Sequence, residues 1–212
     1  MIAGLILAAG ESRRMGRDKA LLIFQGRTFL ESIVANLRAG GVENIIVVLG
    51  HHAEAIQGAV DLTSVQVVVN PDYQRGQTSS LQLGLAAAAR VSPDAVLLCL
   101  VDHPAFSASL IAKLLEQFEA THAPVVIPTF QGERGHPVVI GRLLIPELLE
   151  LPAGAPANAV IRRHRHATQF VEVSDPGVLL DVDDPEAYAR LEESGKIETE
   201  GRKQNSKGSK QI

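Results

Sequence analysis

The chain has 212 residues, 46% of them hydrophobic and 21% charged, with a formal net charge of −4. That length suits one domain with a small appendage and supplies a full core. The slight acidity excludes a protein that coats nucleic acid, which would carry a basic excess.

The first apolar run, "IAGLILAA", ends after about nine residues and has no basic lead, so it reads as a core strand rather than a signal peptide. No run approaches the roughly 18 apolar residues of a membrane span. A polar loop follows, and "TFLESIVANLRAGG" then reads as a helix. Thr28 and Glu31 have the spacing of a capping box, and Gly40 and Gly41 end the helix. "NIIVVLG" and "VQVVVN" are the second and third strands, and "SSLQLGLAAAAR" is helical. "DAVLLCLVD" is the fourth and most apolar strand. It contains the lone cysteine, Cys99, which reads as a structural thiol in a reducing cytoplasm. "SASLIAKLLEQFEATH" is amphipathic, with Leu110, Leu114, Leu115 and Phe118 on one face, and "PVVIPTF" is the fifth strand.

Strands without polar alternation, separated by helices, predict a three-layer α/β domain with a mostly parallel, Rossmann-like sheet. From Glu133 the rhythm changes. "GHPVVIGR", a short helix near 143–150, "QFVEV" and "GVLLDVDD" suggest further strands of a mixed sheet, closed by the helix "DPEAYARLEESG". The domain is expected to span 1–195, with 196–212 a disordered polar tail.

The loop after the first strand is unusual. "LAAGESRRMGRDK" joins small residues to Arg13, Arg14, Arg17 and Lys19. Ligands of open parallel sheets bind beyond the carboxyl ends of the strands. Ala8, Ala9 and Gly10 leave the backbone bare for a base or sugar, while Arg13, Arg14 and Lys19 offer charge to phosphates. A nucleoside triphosphate fits this pairing. The loop is neither a Walker A nor a dinucleotide G-x-G-x-x-G motif.

Similar hints recur at other strand ends. Asp102, in "LVDHP", is a natural Mg²⁺ ligand beside a polyanion, or a cap to its turn. "DVDDP" offers Asp181 and Asp183, on one face if the segment is a strand. Asp183 is favoured as second metal ligand, with Asp181 in reserve and Asp184 an N-cap before Pro185. Asn70 can read a base or sugar edge, and Gly76, Ser79 and Ser80 form a polar approach to a helix N-terminus. Asn-Pro as a turn and serines as caps stand beside that reading. His136 in "GERGHPVV" is a base, a ligand contact or a satisfied turn histidine. His51 and His52 read as a strand-to-helix turn, and "RRHRH" as an exposed basic helix end.

These segments resemble the MobA-like nucleotidyltransferases. "LAAGESRRMGRDK", "NPDYQRGQTSSLQLGL", "VDHP", "GERGHPVVIGR" and "DVDDPEAY" fall in family order over residues 1 to about 190. "LAAG" with "RGHP" is most similar to the molybdenum cofactor cytidylyltransferases. The resemblance implies transfer of CMP from CTP to the phosphate of molybdopterin, giving the cytosine dinucleotide that molybdenum hydroxylases use. Contact with such a hydroxylase or its chaperone would follow. It implies nucleotide binding by Leu7, Ala8, Ala9, Gly10, Arg13, Lys19, Asn70 and Ser80, and Mg²⁺ on Asp102 with Asp183 or Asp181. Lys19, Arg14 and Asp102 would be catalytic, and Gly76, Ser79, His103, Arg134 and His136 would meet the acceptor. His103 stands where relatives often carry glutamine. Transfer from GTP or to another phosphorylated acceptor is a rival reading, as is a cofactor carrier without turnover.

Overall fold

The computed structural model describes residues 1–152 and 154–193, so the predicted tail from 196 lies outside the described residues. Along the chain run β1 (Ile2–Ala8), a small hairpin of β2 (Ile23–Phe24) and β3 (Arg27–Thr28), α1 (Phe29–Ala39), β4 (Asn44–Leu49), α2 (Ala53–Ala59), β5 (Gln66–Val69) and α3 (Gln77–Ala88). Then come β6 (Ala95–Leu100), α4 (Ala108–Thr121), β7 (Val125–Phe130), β8 (Glu133–Arg134), β9 (Val138–Gly141), α5 (Ile145–Leu149), α6 (Asn158–Arg163) and β10 (Thr168–Glu172). A helix from 185 through 193, here α7, ends the described chain.

The main sheet has the order β10-β7-β9-β6-β1-β4-β5, with β8 beside β7. β1 pairs in parallel with β4 and β6, as β4 does with β5. β9 runs antiparallel between β6 and β7. This is the expected three-layer arrangement. Alternation along β1 sends Ile6 and Ala8 to one face, under α1, α2 and α4. It sends Ala3, Leu5 and Leu7 to the other, under α3, α5 and α6. Helix α3 can lie flat on the sheet because residue 84 is glycine. A Cβ there would stand 2.4 Å from Leu5 Cδ1 and 2.9 Å from Val48 Cγ2.

The capping box forms as the spacing predicts: Thr28 Oγ1 accepts from Glu31 N, and Glu31 Oε2 accepts from Thr28 N. Asp184 Oδ1 accepts from Ala187 N, which makes it the N-cap of α7.

One predicted strand is corrected. "GVLLDVDD" is not a strand: Pro176–Leu179 is a short 3-10 turn capped by Asp175, and residues 180–183 pair with no strand. Val178 packs into the main core, whereas Val182 fills a different space. Val182, 1% exposed, packs with Met15, Leu22, Phe29 and Leu191 in a small third cluster. The segment is thus pinned across the carboxyl edge of the sheet instead of extending it.

Candidate active site

Parallel register brings three loops together. Ala8 lies opposite Leu49, and Leu7 opposite Leu100, so β1, β4 and β6 end side by side. The backbone stitches their exits: His51 N donates to Ala9 O, Val101 N to Leu7 O, and Asn70 N to Leu49 O. The antiparallel run of β9 adds a fourth loop. With Leu98 opposite Val138, the start of β9, and His136 just before it, falls at the carboxyl end of β6. A parallel strand would have put that loop at the far edge.

The four cations of the opening loop separate in space. Lys19 is 9% exposed and turns inward; its Nζ donates to Asp183 Oδ1 at 2.6 Å and Asp102 Oδ2 at 3.1 Å. Arg14 stays at the rim, its Nη1 3.2 Å from Asp183 Oδ2. Arg13 pairs with Glu11 beside a shallow cavity walled by Tyr73. Arg17 lies over the Tyr188 ring, 5.7 Å from its centroid. The loop is held by its own residues, with Ser12 Oγ accepting from Lys19 N and Met15 buried beside Val182. Val182 N donates to Asp102 O, which locks the acidic segment to the end of β6.

Titration follows this geometry. Burial pulls the Lys19 pKa down, but the Asp183 hydrogen bond and the Asp102 charge outweigh it and hold the ammonium above its ordinary value. The Lys19 hydrogen bond holds the Asp183 carboxyl below its usual range. Burial, then the Asp102 charge, raises Asp181. His103 is lowered by burial in spite of the carboxylates around it. Burial, with the positive charge His103 can carry, lowers His136 to about 4.

Two cavities of about 260 Å³ meet here. The first is floored by Leu7, Ala8, Ala9 and Gly10 and reaches Lys19 and Asp102, with Gly76 and Ser80 on its wall. Ser12, Asp18, Ile56 and Tyr73 also line it. Sequence reasoning passed over these four, although Asp18 stands next to Lys19. The second cavity is more apolar and is lined by Leu81, Leu98, Ile127, Arg134 and His136. Leu7, Gln77 and Leu100 belong to both. Gly135 permits the turn: a Cβ would sit 2.5 Å from Val178 O, the carbonyl that accepts from His136 N.

Other expected site residues are placed differently. Asn70 is buried, its Nδ2 donating to Ser79 and Ser80 Oγ and its Oδ1 accepting from Asp72 N, so it braces the loop before α3. Ser79 is taken up in that brace and lines neither cavity. Arg134 lies over Phe170, 5.0 Å from the ring centroid. His51 and His52 do form a strand-to-helix turn, and "RRHRH" does begin at the end of α6.

A divalent cation has candidate ligands. Asp102, His103 and Asp181 each present a ligand atom, all within 4.8 Å of one another. Asp102 Oδ1 is buried and has no hydrogen-bond partner, as an oxygen awaiting a cation would be. Asp181, the reserve choice, is the one that joins this group, while Asp183 is engaged by Lys19 and Arg14. No helix among the described residues is long and apolar enough to cross a membrane.

Comparison with known proteins agrees with this geometry. The chain is 32% identical over 202 residues to a nicotine blue oxidoreductase of Paenarthrobacter nicotinovorans, covering 90% of this chain and 96% of that one. It is 32% identical over 189 residues to a probable molybdenum cofactor guanylyltransferase of Mycobacterium ulcerans, covering 85% and 88%. Rv0371c of Mycobacterium tuberculosis H37Rv superposes with a TM-score of 0.80 at 31% identity over 91% of this chain and 97% of that one, and its structure has also been solved in complex with manganese. The model of the MobA-like NTP transferase domain matches residues 4–168, from within β1 to the start of β10. With that match running through every loop of the site except the acidic segment around Val182, the chain belongs to the MobA-like NTP transferase family.

Proposed function

We propose that the protein transfers CMP from CTP to the phosphate of molybdopterin, releasing pyrophosphate. The observation that carries this reading is the meeting of two cavities along Leu7, Gln77 and Leu100, the first of which reaches Lys19 and Asp102. The first cavity takes the donor. Its bare Ala8–Ala9–Gly10 floor suits a flat base. The second, apolar and bounded by Arg134 and His136, takes a planar heterocycle bearing a phosphate.

In the reaction an oxygen of the acceptor phosphate bonds to the α-phosphorus, and the bond from that phosphorus to the β-phosphate oxygen breaks. The acceptor phosphate is already ionised near pH 7, so no general base is assigned. Lys19 releases Asp183 and turns its ammonium to the phosphates, where negative charge builds. Arg14, at the rim, meets the departing pyrophosphate. The loops contribute positioning and fixed charge. Asp102 with Asp181 or Asp183 would hold a divalent cation, which supplies charge neutralisation at the α-phosphate. The reaction is assigned to the cytoplasm, with a molybdenum hydroxylase or its chaperone receiving the product.

A thermal-shift panel of CTP, GTP, ATP and UTP, with and without divalent cation, tests the donor. Ligand at about 100 times Kd adds roughly 2.7 kcal/mol, a rise of roughly 5–10 °C for this size. The largest cation-dependent shift is expected with CTP. A larger shift with GTP keeps the chemistry and replaces the donor.

One observation favours a second reading: the Paenarthrobacter relative is named an oxidoreductase. On that reading the same two cavities hold a nucleotide cofactor beside a flat acceptor, and hydride moves instead of a nucleotidyl group. NAD(P)H oxidation without pyrophosphate release would support it.

A further inference from the structure

Counting carboxylates leads to Mg²⁺, but the site also contains a nitrogen. His103 is 9% exposed, and its Nδ1 is buried without a hydrogen-bond partner. It belongs to the one group of candidate ligands found among the described residues, Asp102–His103–Asp181. A pair of ligands around one ion of this size is at most about 4.4 Å apart, since each bond is roughly 2.2 Å. The mutual spacing of 4.8 Å or less therefore needs only a small closure.

We propose that His103 is a metal ligand, and that Asp102, His103 and Asp181 form a site that takes Mn²⁺ in preference to Mg²⁺. The carboxylates around it sort themselves. Lys19 takes Asp102 Oδ2 and Asp183 Oδ1, and Arg14 takes Asp183 Oδ2. What remains is Asp102 Oδ1, which has no partner, and the Asp181 carboxylate beside it. Asp183 is thereby the counter-ion of Lys19, and Asp181 the ligand.

Imidazole explains the preference. Mg²⁺ holds to oxygen donors in near-octahedral array and keeps its waters. Later first-row divalent ions accept imidazole readily. Among first-row ions Mn²⁺ is the one suited to carboxylate and water ligands, which make up the rest of this site. The unpartnered ring nitrogen leaves His103 a donor atom to offer. His136 packs against it, ring centroids 4.8 Å apart and planes tilted by 45°. Glutamine at position 103 would offer an amide oxygen and restore an all-oxygen set.

This inference deepens the proposed transfer reaction by naming its cation, and it rests on that reading only for the cation's use. The test is made on the full chain freed of metal with EDTA. Mn²⁺ is titrated by electron paramagnetic resonance, alone and with a non-hydrolysable CTP analogue, and Mg²⁺ is run as competitor. Spin-echo envelope modulation then reports any ¹⁴N bound to the manganese. The expected result is a directly coordinated ¹⁴N in the wild type that is absent in His103→Gln. In that variant Mn²⁺ affinity should fall on the order of tenfold while Mg²⁺ affinity changes less than about twofold. Bound Mn²⁺ without nitrogen coupling overturns the proposal. So does an unchanged Mn²⁺/Mg²⁺ ratio in folded His103→Gln, or no Mn²⁺ binding under either condition. If circular dichroism shows that the variant is unfolded, the wild-type nitrogen signal alone decides. Pyrophosphate release is scored separately: release without nitrogen coupling defeats this proposal and leaves transfer standing, and coupling without release does the reverse.

Discussion

The Lys19 ammonium lies 2.6 Å from Asp183 Oδ1, although 164 residues separate the two in the chain. This ion pair joins the loop after β1 to the segment before α7, and Asp102 at the end of β6 completes it at 3.1 Å. A lysine so placed neutralises these carboxylates, and in the proposed transfer it turns to phosphate. Lys19→Met, which keeps the stem and removes the charge, is expected to lower kcat for pyrophosphate release at least about 10²-fold, the scale of losing one preorganised donor. Steady-state turnover beside a circular dichroism spectrum checks it. Near-normal turnover in the folded variant contradicts the assignment.

Val182 is the anchor that brings the acidic residues to the site. It has no polar atom of its own in the chemistry, yet Asp181 and Asp183 flank it and its amide holds Asp102 O at 2.9 Å. Val182→Ala is expected to cost about 2 kcal/mol of stability and to lower turnover more than an equal destabilisation placed elsewhere. Leu114→Ala, in the core under α4, is the control. Urea midpoints and turnover on both variants test this; equal turnover at equal stability counts against the anchor.

His136 makes stability depend on pH. Its folded pKa of about 4 lies below the unfolded value near 6.5. Above pH 6.5 both states are neutral and the native state is unpenalised. As pH falls from there toward 4, the unfolded chain takes up a proton that the native chain refuses, and stability drops. Between pH 7 and pH 5 the loss is roughly 2 kcal/mol. Urea titrations in EDTA should show that slope, and His136→Gln should flatten it. A slope unchanged by the substitution would count against a buried neutral His136.

Cys99 sits fully buried in β6, and burial pushes its thiol well above the ordinary range. It is expected to resist a disulfide reagent at pH 8 in the native state and to react at the rate of global unfolding. Fast labelling of the native protein would show that the end of β6 opens locally.

The parallel strands were legible because runs such as "AVLLCLV" have no polar face, and the helix from Phe29 because Thr28 and Glu31 mark its start. The β2–β3 hairpin was missed, though Gln25-Gly26, both with positive φ, is a two-residue turn between residues that pair as strands. "GVLLDVDD" misled for a different reason. Val182 is buried against Met15 and Leu22 from the far end of the chain, and no local period encodes such a contact. The ordering of Asp181 and Asp183 likewise depends on where Lys19 lands, which spacing cannot tell. The bare floor at Ala8–Ala9–Gly10 and the Lys19–Asp102 pairing, by contrast, lie at strand ends that the parallel pattern already brings together.

The measurement that tests the central claim most directly is a single incubation of the protein with molybdopterin, CTP and a divalent cation, scored for pyrophosphate and for product mass. The account predicts one pyrophosphate per molybdopterin consumed and a product heavier by one CMP unit, both lost in Lys19→Met. Neither pyrophosphate nor a heavier product with any of the four nucleoside triphosphates, under conditions where NAD(P)H is oxidised, would contradict it.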